Sequence, residues 1–156
     1  MEKFYIAYGS NMDIRQMKYR CPDSELLGST VLDGWELLFK GSYSGSYATI
    51  ERKKGSKVPA LIWAISDQDE DNLDRYEGCP TFYYKRNLDV SLSGGRKFEA
   101  MVYIMHEERE LGIPSPEYYQ CIRRAYTEFR DAGHQQFDPA ILTQAVNTTL
   151  EGWDER

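Results

Sequence analysis

Cysteine is scarce in this chain: Cys21, Cys79 and Cys121 are odd in number and widely spaced, which excludes a disulfide framework and a CxxC metal or redox site. Histidine is scarcer. His106 and His134 lie far apart in sequence with no local pairing, so no metal-ligand set and no Ser/His/Asp constellation stands out. No stretch approaches the roughly 20 apolar residues of a membrane span. The start, MEKFYIAYGS, lacks the basic flank and small-residue cleavage site of a secretory signal, and a cytoplasmic protein is expected. Positive charge is also in deficit. A formal net charge of −6 gives no field to attract nucleic acid or an anionic membrane, so neither is expected as a partner. The phosphate-cradling patterns GxGxxG and GxxxxGK(S/T) are missing. Neither a metal nor a cofactor is therefore expected.

What is present suits one buried core. The chain has 156 residues, 41% of them hydrophobic, and no repeat, low-complexity tract or linker divides it. A single domain over 1–156 is expected, with 151–156 as a frayed tail. Twelve tyrosines against three tryptophans and six phenylalanines make an aromatic set that can wall a pocket and still hydrogen-bond.

Local patterns give an order of elements. Phe4 to Tyr8 reads as a buried strand closed by Gly9-Ser10-Asn11, and a short helix with Ile14 and Met17 follows until Pro22. Leu26 to Leu32 and Trp35 to Phe39 flank Asp33-Gly34, which predicts a hairpin. The segment from Gly41 to Tyr47 reads as a loop. Tyr47 to Glu51 and Val58 to Ile65 flank the basic stretch RKKGSK, which predicts a second hairpin with a central latter strand. Ser66 caps a helix from Asp67 to Glu77 whose first turn is crowded with acids. Tyr84 to Leu92 and Phe98 to Met105 surround Ser93-Gly94-Gly95, a third hairpin. Ser115-Pro116 and Asp138-Pro139 open two more helices, the first ended by Gly133. Hairpins with interspersed helices predict an α+β fold, a small mixed β-barrel or curled sheet with flanking helices.

Two places could carry chemistry. Glu77 falls in the last turn of its helix, where a carboxylate meets the negative end of the helix dipole, so its pKa should rise and it becomes a candidate general base. The alternative is a solvated acid paired with Arg75 or Lys85. The loop Tyr8-Gly9-Ser10-Asn11 follows a buried strand and presents successive N–H groups that can hold a carboxylate or an oxyanion. The alternative there is a plain strand-to-helix turn. Ser10 lacks the G-x-S-x-G elbow of a nucleophile, and Cys79 reads as an inert thiol.

The run Tyr5-Ile6-Ala7-Tyr8-Gly9-Ser10-Asn11-Met12 resembles the N-terminal signature of γ-glutamylcyclotransferase-like (AIG2-like) proteins. Leu73-Asp74-Arg75-Tyr76-Glu77-Gly78 resembles their second signature, and Pro114-Ser115 followed by Tyr118 a third element. The resemblance implies a small barrel with a pocket between the YGSN loop and the glutamate. It implies that Glu77 is the catalytic base and that Tyr5, Tyr8, Gly9, Ser10, Asn11, Met12 and Tyr118 contact substrate, with Tyr84 and Tyr103 as further pocket walls. The implied reaction cyclises a γ-glutamyl group and releases 5-oxoproline with an amine or amino acid, without a cofactor. The implied partner is a small γ-glutamyl molecule, and a homodimer is compatible with it. The competing reading is a non-catalytic ligand-binding or regulatory protein on the same fold.

Overall fold

The computed structural model describes residues 3–42, 45–92, 95 and 97–154. Strand β1 (Lys3–Ala7) buries Tyr5, Ile6 and Ala7. It pairs antiparallel with β3 (Gly45–Ile65) and parallel with β5 (Lys97–Met105). With β2 (Glu25–Ser42), β4 (Tyr83–Ser91) and β6 (Glu110–Leu111) these make a six-stranded sheet in the order β4-β5-β1-β3-β2-β6. Hydrogen bonds also join strands that are not neighbours. Thr30 Oγ1 of β2 donates to the Ser91 carbonyl of β4 at 2.8 Å, and the Met105 N–H of β5 donates to Thr49 Oγ1 of β3 at 2.9 Å. A flat sheet could not make either bond, so the sheet curls into a half-barrel, and the α+β expectation holds. Ala60, Leu61, Ile62 and Trp63 of β3 are buried between β1 and β2, as their unbroken apolar run predicts.

The first two hairpins do not form as predicted. Leu26 to Leu32 and Trp35 to Phe39 do not pair with each other; both lie in β2, and both pair with β3. Asp33 pairs with Lys57 and Trp35 with Arg52, so Gly34 alone stands opposite residues 53–56. The two turn signals thus face each other and make one corner in a long two-stranded ribbon. Gly34 and Gly55 take φ of +82° and +87° there, the left-handed conformation that favours glycine. An irregularity of this kind bends strands and increases their twist. Strand pairing also continues into the expected loop, through Gly41 with Ser46 and Ser42 with Gly45; residues 43 and 44 lie outside the described residues. The third hairpin forms as β4 and β5, although Ser93 and Gly94 of its turn lie outside them too.

Four helices flank the sheet: α1 (Ile14–Arg20), α2 (Asp67–Tyr76), α3 (Pro116–Asp131) and α4 (Pro139–Asp154). In α2 the Ser66 hydroxyl accepts from Asp69 N–H at 3.0 Å and the Asp69 carboxylate accepts from Ser66 N–H at 3.2 Å, a complete capping box. Ser115 caps α3 by accepting from Tyr118 N–H, with Pro116 in its first turn. Helix α4 runs to Asp154. Tyr126 of α3 packs edge-on against Phe137, and Phe129 packs on the same ring. No helix among the described residues is long and apolar enough to cross a membrane.

Candidate active site

Strand β1 delivers its chain end into a cavity of about 770 Å³, within the usual range for small-molecule sites. After Tyr8 the chain turns at Gly9 into a short 3-10 turn, Ser10–Met12. The Met12 N–H donates to the Gly9 carbonyl at 3.1 Å. The N–H groups of Ser10 and Asn11 open that turn and have no acceptor within it. Space at Gly9 is limited. A Cβ there would lie 3.4 Å from both Ala48 Cβ and the Tyr118 hydroxyl.

The side chain of Asn11 is buried, and its orientation follows from its partners. Arg20 Nη1 donates to its Oδ1 at 2.9 Å and Gln16 Nε2 at 3.3 Å. Guanidinium can only donate, so the amide nitrogen of Asn11 points the other way and donates to the Tyr5 hydroxyl at 3.0 Å. Arg20 also lies over the Tyr76 ring, 4.6 Å from its centre. Both Arg20 and Gln16 line the cavity.

Glu77 caps the C-terminal end of α2, its N–H bonded to the Leu73 carbonyl at 2.8 Å, and its side chain faces the cavity. The cations that could have paired with it are occupied elsewhere. Lys85 bridges Glu70 and Asp74, and Arg75 donates to Asn72 Oδ1 at 2.6 Å. Desolvation pushes the Glu77 pKa up to about 7, against a smaller opposing pull from the Arg20 charge. The rise was expected from the helix dipole; burial is its main cause here.

Phenol hydroxyls surround this carboxylate. Tyr5, Tyr8, Tyr83, Tyr103 and Tyr118 all line the cavity, and burial followed by the Glu77 charge raises the pKa of Tyr5 and Tyr8. Their arrangement follows from an unpaired sheet edge. Strand β1 pairs with β3 only over Leu61–Ile65, so at Ala48 one edge of β3 has no strand beside it. Its backbone groups are satisfied by phenols: the Ala48 N–H donates to the Tyr118 hydroxyl at 3.0 Å, and the Ala48 carbonyl accepts from the Tyr83 hydroxyl at 2.7 Å. Tyr8 donates to the Tyr103 carbonyl at 2.6 Å, and the Tyr103 hydroxyl donates to Asp74 Oδ1 at 2.6 Å.

Comparisons with known proteins give the chain a family. The family model described as gamma-glutamyl cyclotransferase, AIG2-like, matches residues 5–120, a span that holds the loop, Glu77 and Tyr118. The chain belongs to the γ-glutamyl cyclotransferase, AIG2-like family. Human γ-glutamylcyclotransferase is 27% identical over 126 residues, which cover 76% of this chain and 66% of the human protein. The chain therefore spans slightly under two thirds of that relative's length. A solved γ-glutamyl cyclotransferase structure superposes with a TM-score of 0.75 at 25% identity, over 82% of this chain and 80% of that one. YkqA from Bacillus subtilis, 20% identical, shares the fold, with a TM-score of 0.73 over 95% of this chain and 54% of its own.

Within this γ-glutamyl cyclotransferase-like fold, Tyr5, Tyr8, Gly9, Ser10, Asn11, Glu77, Tyr103 and Tyr118 come together at the cavity. Two expected residues do not. Met12 is buried in the core and its N–H is bonded to Gly9. Tyr84 points away from the cavity, where its hydroxyl donates to Glu107 and its ring packs on His106. Its neighbour Tyr83 takes the place expected of it. Tyr47, Phe82, Arg20, Gln16 and Cys121 also line the cavity and were not anticipated. Burial raises the Cys121 thiol pKa, which keeps it protonated. Among the described residues no three or more His, Cys, Asp and Glu side chains gather closely enough to hold a metal ion.

Proposed function

We propose that this protein cyclises a γ-glutamyl group by intramolecular aminolysis, releasing 5-oxoproline and the amine or amino acid that was attached. The observation that carries the reading is Glu77: a carboxylate at a cavity wall, free of any ion pair among the described residues, with its pKa near 7. A group of that pKa can both accept and return a proton at neutral pH. The substrate's α-ammonium cannot attack until it loses a proton, and Glu77 is placed to take it. The nitrogen then adds to the γ-carbonyl, the lactam C–N bond forms and the original amide C–N bond breaks. Of the three ammonium protons the lactam keeps one; two leave with the departing amine, and Glu77 ferries protons between the nitrogens. The loop N–H groups of Ser10 and Asn11 and the Tyr118 hydroxyl are the donors available to the substrate's anionic oxygens. Folding the γ-glutamyl chain into a near-attack geometry within the cavity supplies further acceleration.

The test is incubation of the protein with a panel of γ-glutamyl amines, amino acids and peptides, with 5-oxoproline detected by mass spectrometry. Release from at least one member is expected. Glu77→Gln should lower that turnover by roughly 10²- to 10⁴-fold, the usual contribution of general acid–base catalysis. Full turnover by the variant would overturn the assignment of Glu77.

A further inference from the structure

The phenols of the cavity differ in one respect that their number conceals, namely whether each hydroxyl proton is already committed. A carbonyl or a carboxylate can only accept, so the Tyr83 proton is held by the Ala48 carbonyl and the Tyr103 proton by Asp74. Each of these oxygens is left with lone pairs only. The Tyr8 proton is likewise held, by the Tyr103 carbonyl. Tyr118 and Tyr5 are the reverse. They accept from the Ala48 N–H and the Asn11 amide, so each keeps its own proton free to donate. Charge does not separate these hydroxyls: Glu77 acts on Tyr5 and Tyr118 more strongly than Arg20 does, and it acts on Tyr103 and Tyr83 as well.

We infer that the hydroxyl oxygens of Tyr83 and Tyr103 act as acceptors for the substrate's α-ammonium, whereas the hydroxyls of Tyr5 and Tyr118 donate to its negative oxygens. Asp74 is then a positioning residue: it bonds the Tyr103 hydroxyl and fixes its direction. This rests on the γ-glutamyl reading above and adds to it the hydroxyls that meet each end of the substrate. Glu77 acts on both Tyr83 and Tyr103, so an ammonium held by these oxygens has in reach the carboxylate to which its proton has to go. A ligand that lacks the amine should gain nothing from these two oxygens.

The test uses two matched ligands, γ-glutamyl-alanine and glutaryl-alanine, which differ only by the α-ammonium. Binding is measured by calorimetry to full-length Glu77→Gln protein, so that turnover does not interfere. A hydrogen bond to a charged group contributes about 1.5–3 kcal/mol, so this protein should bind the amine-bearing ligand at least about tenfold more tightly. Adding Tyr83→Phe, which removes the acceptor oxygen, should abolish most of that preference. Adding Asp74→Ala releases the Tyr103 proton to point into the cavity and should do the same. Asp74→Asn keeps an accepting oxygen and should retain the preference. Adding Tyr118→Phe should weaken both ligands alike. Thermal melting of each variant checks folding, and Asp74→Asn controls for loss of the Lys85 ion pair. An equal affinity for the two ligands, no measurable binding of either, or equal losses with Asp74→Ala and Asp74→Asn would each overturn the inference. The underlying reading fails separately. It falls if the wild-type protein releases no 5-oxoproline while the preference is present, and it stands if 5-oxoproline is released while the preference is absent.

Discussion

Glu77 is a carboxylate whose neighbours are phenols and one distant guanidinium, and its protonation should be visible in activity. The free enzyme must present it ionised, so kcat/KM for 5-oxoproline release should rise with pH and level off above an apparent pKa near 7. A pH profile flat from 5 to 8 would contradict this. Gly9 makes a second case. Its space is limited, so Gly9→Val should push on Ala48 and Tyr118 and weaken binding of 5-oxoproline, measured by calorimetry, without unfolding the core. Tyr126 is buried with no partner for its hydroxyl among the described residues. Tyr126→Phe should therefore raise the unfolding free energy by about 1 kcal/mol, since the desolvated hydroxyl returns little; urea titration measures it. At this scale the sequence was informative where a motif carries its own register. YGSN and Tyr-Glu-Gly placed Tyr8 through Asn11 and Glu77 at the cavity. It was uninformative at Tyr83 and Tyr84, because alternation requires one of two adjacent tyrosines to face inward without saying which. Arg20 escaped notice because a basic residue in a helix's last turn suits the dipole equally well in solvent.

Among the elements, the corner in the β2–β3 ribbon is where local signals and tertiary structure part. Asp33-Gly34 and the glycine of RKKGSK carry genuine turn chemistry, since both glycines take positive φ. Yet each signal was read alone, and only their juxtaposition across the two strands turns a pair of hairpins into one bent ribbon. Gly34 has open space around its Cβ position, so a substitution there meets backbone strain alone. Gly34→Ala should lower stability by about 1 kcal/mol, observable as a shifted urea midpoint. Helix α2 offers a contrast, because cap and acidic first turn were both legible and both form. Ser66→Ala should destabilise by about 1 kcal/mol, because the N–H of the buried Asp69 would lose its acceptor, the Ser66 hydroxyl. Curling of the sheet was anticipated only as a fold class; the bonds that enforce it, Thr30 to Ser91 and Met105 to Thr49, come from residues that no local pattern singles out.

For the molecule as a whole, burying Glu77 links the site to stability. Its native pKa lies above the ordinary carboxylate value of 4.5, so between about pH 4.5 and 7 the folded state holds a proton that the unfolded state has released. Stability therefore falls as pH rises through that window. The contribution is at most on the order of 3 kcal/mol, and Glu77→Gln should remove it. The variant should be more stable than wild type at pH 8 and equal to it near pH 4, by urea titration at both. The unaccompanied edge of β3 has another consequence. An unpaired strand edge invites a second chain to add to it, and in this protein Tyr83 and Tyr118 stand guard at Ala48 by bonding its backbone. Since the bonds go to main-chain atoms, changing the side chain at 48 leaves them in place, whereas a proline there would delete one of them. Any ligand or mutation that draws Tyr118 away from Ala48 would uncover that edge, so resistance to aggregation and the shape of the pocket depend on the same two tyrosines.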